Sequence, residues 1–135
     1  MNNILKDRSS ERGSAAVKFA IALSVLILTA HAGYNYVPVA YQAASLKSDM
    51  ETAVLQGIAL PGKMNPVDNV KTRVQQAVLI NQAPADTIVN VTQQGNVIQA
   101  RIAYVKAVPI LPFGLYSYQY KFDYTATPTG FLLKQ

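Results

Sequence analysis

Catalysis and metal binding need titratable or nucleophilic side chains within reach of one another, and this sequence offers few. There is one histidine, His31, and no cysteine. Beyond residue 41 the acids are Asp49, Glu51, Asp68, Asp86 and Asp123. Asp49 and Glu51 are two apart, so on a helix they point about 200° from each other and form no carboxylate pair. A serine nucleophile needs both a base and an acid that orients the base. The one histidine lies in an apolar stretch, away from every acid in the chain order. A metal centre needs at least three convergent ligands, and the spacing supplies no such group. No phosphate-binding glycine loop is present. The residues therefore point to no catalytic site, no metal and no cofactor. They identify no small-molecule substrate, and we expect a protein that is not an enzyme. His31 could serve as a single ligand to a haem or chlorophyll metal. The plainer reading is a neutral histidine near lipid headgroups. Asn90-Val91-Thr92 has the form of a glycosylation sequon and reads as chance.

Composition sets the class. Of the 135 residues 50% are hydrophobic and only 14% charged, well under the roughly 25% charged of a soluble domain. That deficit suggests a membrane segment. The net charge of +5 is spread out: Lys6, Arg8, Arg12 and Lys18 come early, and the other basic residues run from Lys47 to Lys134. Nucleic-acid binders cluster such residues on one face, so no nucleic-acid partner is expected.

Between Lys18 and Lys47 no residue carries a formal charge. Phe19–Thr29 (FAIALSVLILT) is strongly apolar, and with its flanks it reaches the roughly 20 residues that cross a bilayer. The pattern divides the chain into a cytoplasmic N-terminus (1–13), a transmembrane helix (14–37) and an extracytoplasmic domain (38–135). Lys18 can carry its ammonium back to the headgroups, or pair with an acid on a partner helix. Tyr34 and Tyr36 stand at the far end, where an aromatic belt belongs. The basic residues before the span mark the cytoplasmic side. A cleavable signal peptide shares these features, with Ala30-His31-Ala32 as its cleavage site. The helical pattern continues past Ala32 through Tyr41 and Leu46, so we expect an uncleaved anchor. Ala20, Ala22, Ser24, Ala30 and Ala32 would permit close packing against another helix.

Residues 39–56 read as helix, with Leu46, Met50, Ala53 and Val54 forming one stripe. Pro38 predicts a bend and Gly57 a stop. Pro61-Gly62 marks a turn. Asn65-Pro66 then opens a second helix as N-cap and first residue, with Val67, Val70, Val74, Ala77 and Val78 on its buried face. After Pro84 the period becomes two. Strands are predicted over 87–92, 97–105 and 115–126, the first two joined at Gln94-Gly95-Asn96. On the third, Tyr116, Tyr118, Tyr120, Phe122 and Tyr124 share one face, read as packing on the helices. The fold class is α+β: a long N-terminal helix, a short helix and a three-stranded antiparallel meander.

Lys106–Gly114 (KAVPILPFG) reads as a nine-residue apolar loop between the last two strands. Ile110, Leu111 and Phe113 on it either fold over the open end of the core or form an exposed contact for a partner or the outer leaflet. Phe131, Leu132 and Leu133 make a second apolar group after the break at 128–130.

Arg12-Gly13-Ser14 followed by an apolar helix and a meander resembles type IV pilin-like architecture. Gly13, Val17, Phe19 and Ala20 are similar to the start of Tad-type pseudopilins, although Lys18 stands where those proteins carry Glu. Over most of its length, through Val37-Pro38-Val39-Ala40-Tyr41, the helix to Val54 and Tyr118–Tyr124 (YQYKFDY), the chain resembles a family of small single-span bacterial envelope proteins with a domain of unknown function. That resemblance implies the bacterial inner membrane, with the C-terminal domain periplasmic. The role expected is an accessory or structural subunit of a membrane protein assembly, its partners being the membrane and other subunits or itself. The alternative is a pilin-like filament subunit that self-associates through the long helix. A secreted binder of small ligands is a third class and requires cleavage after Ala32.

Overall fold

The computed structural model describes residues 9–59 and 63–128. In chain order they form α1 (Ser9–Ala59), α2 (Pro66–Ile80), β1 (Ile88–Gln94), β2 (Val97–Leu111), a 3₁₀ turn (Pro112–Gly114) and β3 (Tyr116–Ala126). The α+β architecture is the expected one. The tail from residue 129 lies outside the described residues, and with it Phe131 and Leu132.

α1 is a single helix of 51 residues, about 76 Å long at roughly 1.5 Å per residue. It continues through Pro38, whose missing N–H leaves the carbonyl four residues back without its helical donor. It also runs past the expected stop at Gly57. That glycine serves helix contact instead: a Cβ there would lie 2.4 Å from Val70 Cγ2 and 3.0 Å from Val70 Cα. The absent side chain lets α2 approach α1 closely.

α2 begins as expected. The Asn65 side chain accepts from the Val67 N–H at 3.1 Å, and Pro66 occupies the first turn. Asp68 lies near the positive end of the helix dipole. Its far end is tied back to α1 by Asn81, which is buried and donates from Nδ2 to Asp49 Oδ2 at 2.7 Å and to the Ala77 carbonyl at 2.9 Å. Arg73 adds a bond from Nη1 to Gln56 Oε1 at 3.0 Å.

The sheet order is β1-β2-β3, both pairs antiparallel. Period two puts Ile98, Ala100, Ile102 and Tyr104 on the inner face, where they pack against Leu46, Met50, Ala53 and Val54 of α1 and Val70, Val74 and Ala77 of α2. Tyr104 stacks on Phe122, centroids 5.0 Å apart and planes 11° apart. On the outer face, which also carries the exposed Ile88 and Val105, Arg101 grips Asp123 with two bonds, at 2.9 and 2.6 Å.

Two further expectations are corrected. Lys106–Leu111 is not a loop: β2 continues to Leu111, and the connection shrinks to the turn and Leu115. Pro109 suggested a loop because it cannot donate to a ladder. β1 stops at the Ile88–Ala103 pairing, so beyond it β2 has one neighbour only, and the pairing is irregular between Pro109 and Leu111. Second, the aromatic face of β3 is not core along its whole length. Tyr120, Phe122 and Tyr124 are half-buried, whereas Tyr116 and Tyr118 are exposed. The β2–β3 hairpin overruns both β1 and α2, leaving only α1 beside its outer half.

Candidate functional site

The apolar half of α1 is long and apolar enough to cross a membrane, and none of it is buried against the rest of the chain. Val17, Phe19, Ile21, Leu23, Val25, Leu26, Ile27 and Leu28 all face outward, around the whole circumference. A helix apolar on every side needs an apolar surrounding. At about 1.5–3 kcal/mol per large side chain, covering these eight is worth on the order of 15 kcal/mol. The polar groups within the run are already satisfied. Ser24 Oγ donates to the Ala20 carbonyl and Thr29 Oγ1 to the Val25 carbonyl, both at 2.8 Å. Such back-bonding is what a hydroxyl does when no water is at hand.

Lys18 is exposed before this run. His31 is half-buried; Asn35 Nδ2 donates to its carbonyl at 2.9 Å and lies 3.3 Å from its Nε2. Among the described residues no three of His, Asp and Glu form a group that could hold a metal ion. Tyr34 is 81% exposed. Tyr36 has a role its sequence position did not disclose. Its ring lies 6.2 Å from that of Tyr118 and 6.0 Å, edge-on, from that of Tyr120, the geometry of attractive aromatic pairs.

Further along the same contact, Lys106 Nζ donates to Gln42 Oε1 at 3.3 Å and Lys47 Nζ sits 4.6 Å from the Tyr124 ring centroid. Tyr124 donates its hydroxyl to Glu51 Oε1 at 2.5 Å. That hydrogen bond, with burial and the Glu51 charge, pushes the Tyr124 phenol up to about 12. The Tyr120 phenol is raised as well, chiefly by burial. These contacts fix a direction: β3 runs in step with α1, Tyr118 beside Tyr36 and Tyr124 beside Glu51. Val39, Ala43 and Val108 are buried along this strip.

The hairpin tip carries three of the residues expected to meet a partner. Ile110 and Leu111 are half-buried, while Phe113 is 97% exposed. Leu115 and Tyr116, not singled out in the sequence, are exposed beside it. Phe113 adopts φ 60°, ψ 20°, followed by Gly114 at φ 72°. For a residue with a Cβ the left-handed region costs about 1–2 kcal/mol, so the turn holds its aromatic ring outward against a backbone penalty. No family model, no curated protein and no solved structure matches the chain.

Proposed function

We propose that the chain is a single-pass membrane protein of the bacterial envelope and acts as a non-enzymatic subunit of a membrane assembly. α1 anchors it, and the compact domain built on residues 38–128 stands outside the membrane and offers contact surfaces. The observation that carries this reading is the division of α1. Its C-terminal half packs Leu46, Met50, Ala53 and Val54 into the core, while its N-terminal half has no cover within the chain. A domain on a stalk whose described residues bring together no metal-binding group suits a role in which the output is association.

Native mass spectrometry of the protein extracted with its lipids tests this. Membranes washed with alkaline carbonate should retain the chain, and the extracted species should exceed the 14.7 kDa of one copy by unlike chains. Release by carbonate would overturn the anchor, and a lone copy would overturn the assembly role. The second reading, a filament subunit, is favoured by the same uncovered half-helix, which neighbouring copies could bury as lipid does. It predicts repeats of this chain alone in a helical array.

A further inference from the structure

We infer that the tip of the β2–β3 hairpin is seated in the outer interfacial layer of the membrane that α1 crosses, giving the domain a second, lipid-facing foot. The inference rests on the anchor reading above and adds an orientation to it.

The level of the tip follows from the contacts along α1. From Tyr118 to Tyr124 the strand advances about 20 Å at roughly 3.3 Å per residue. From Tyr36 to Glu51 the helix advances about 22 Å at roughly 1.5 Å per residue. The two elements therefore keep pace, and the strip can be extended toward the tip. Leu115 lies three residues before Tyr118, about 10 Å further on, which corresponds to about seven helical residues. That places the tip beside the helix near Thr29, the last residue of the apolar run. A span of about 20 residues ending there or a turn beyond puts its outer boundary at the same height.

The chemistry at that height agrees. The hairpin carries no charged residue from Ala107 to Tyr120, and α1 carries none from Phe19 to Leu46. The two charge-free stretches lie side by side; the hairpin's ends at Lys106, which reaches Gln42, and the helix's a little further on at Lys47, over Tyr124. The tip therefore brings no charged side chain to the boundary near Thr29, as a contact with the acyl-chain edge requires. The exposed residues at the tip are Phe113, Leu115 and Tyr116, two apolar side chains and one amphipathic ring, the types enriched at membrane interfaces. The left-handed Phe113 and Gly114 turn Phe113 outward, away from the domain's own core. Lys121, one residue past the charge-free stretch, is exposed, about 20 Å further from the boundary than Leu115 at roughly 3.3 Å per residue.

The chain contains no tryptophan, so one introduced Trp reports its own surroundings. Full-length Phe113→Trp, Val25→Trp and Asn96→Trp variants are reconstituted in vesicles of phosphatidylcholine and phosphatidylglycerol, at few chains per vesicle. Brominated lipids with the bromines high or low on the acyl chains serve as depth quenchers and aqueous iodide as the outside quencher. Position 25 should be quenched best by deep bromines. Position 113 should be quenched severalfold more by shallow bromines than position 96, which should answer to iodide alone. If position 25 responds to deep bromines while position 113 behaves as position 96 does, the foot is refuted and the anchor stands. If position 25 escapes the bromines, the anchor itself fails and the foot with it. Shielding of position 113 from both quenchers, growing with protein density, would assign the tip to a second copy and overturn the lipid assignment.

Discussion

Replacing Gly57 by alanine is the sharpest test of how the domain is assembled, because two effects of known sign oppose each other there. Alanine in a helix interior is favoured over glycine by about 1 kcal/mol. Against this, the added Cβ would sit 2.4 Å from Val70 Cγ2, 3.0 Å from Val70 Cα and 3.1 Å from Val70 N. Turning the Val70 side chain could clear the first contact, but it cannot move the backbone atoms. The helices must separate, and Val70 is fully buried between them. Overpacking costs about 1–3 kcal/mol, and a clash with backbone atoms takes the upper part of that range, about 2–3 kcal/mol, so the net loss should be on the order of 1–2 kcal/mol. In a domain of this size that lowers Tm by roughly 5–15 °C. Thermal unfolding in mild detergent, followed by near-ultraviolet circular dichroism of the tyrosines, measures it. Gly33→Ala is the internal control, since a Cβ there meets nothing within 4 Å; its Tm should hold or rise. Val70→Ala combined with Gly57→Ala should lose less than the two changes separately. A Gly57→Ala variant as stable as the Gly33→Ala variant would refute the close approach of α1 and α2.

Further consequences concern the surface, the charge state and the topology. Phe113→Gly should raise Tm in detergent by a few degrees, since glycine relieves about 1 kcal/mol of left-handed strain and the ring touches little; a fall in Tm would show that Phe113 packs on the domain. Val74→Ala, at a fully buried position, should cost about 2 kcal/mol in urea unfolding, and a loss below about 0.5 kcal/mol would place α2 outside the core. The Tyr124 phenol is raised in the folded state from an ordinary value near 10 to about 12. Its stabilising contribution is therefore complete below pH 10 and is lost as pH rises through about 12. Alkaline unfolding should begin in that window and start earlier in Glu51→Gln, and an unchanged profile would deny the Tyr124–Glu51 bond its role. A single cysteine at Asn96 should react with an impermeant thiol reagent on spheroplasts while one at Asn3 stays protected; the reverse pattern would invert the proposed topology.

The elements were legible where one physical rule decided them. Asn65-Pro66 announces a helix start because a side-chain acceptor and a preset φ satisfy the same open turn. The alternation Ile98, Ala100, Ile102, Tyr104 fixes which face of β2 is buried, since a one-residue slip would turn every side chain over. Rules that depend on distant partners misled. Gly57 reads as a terminator from its own neighbourhood, whereas its role depends on Val70, thirteen residues on. Pro109 reads as a loop until it is clear that β1 is too short to flank it. Tyr36 reads as a membrane-belt residue, and only the tertiary arrangement sets its ring against Tyr118 and Tyr120. The hairpin tip was half legible: its apolar residues stand out in the sequence, but Leu115 and Tyr116 join Phe113 only once the loop has contracted to a turn.

The length of the hairpin is hard to explain by folding alone. The core closes around Ile98 to Tyr104 on β2, and β1 and α2 cover nothing beyond it. Val105 to Leu111 and Tyr116 to Phe122 prolong the ladder with most of their side chains half-exposed or exposed. Each ordered residue there loses about 1–2 kcal/mol of backbone entropy, offset by ladder hydrogen bonds, by Val108 and by the Tyr36 contacts. An extension that yields so little burial in the isolated chain is stabilised chiefly if its tip meets something apolar. α1 carries its uncovered apolar run to the height that tip reaches. Shortening the hairpin by deleting Ile110–Tyr116 and closing it with Asn-Gly should therefore leave the helical and β1-paired core folded, with its Tm little changed. The same deletion should free the domain to tilt on α1, seen as increased amplitude of motion for a spin label at Asn96 in bilayers. A collapse of Tm in detergent would mean that the tip stabilises the fold directly, and the length of the hairpin would then be accounted for by packing within the chain.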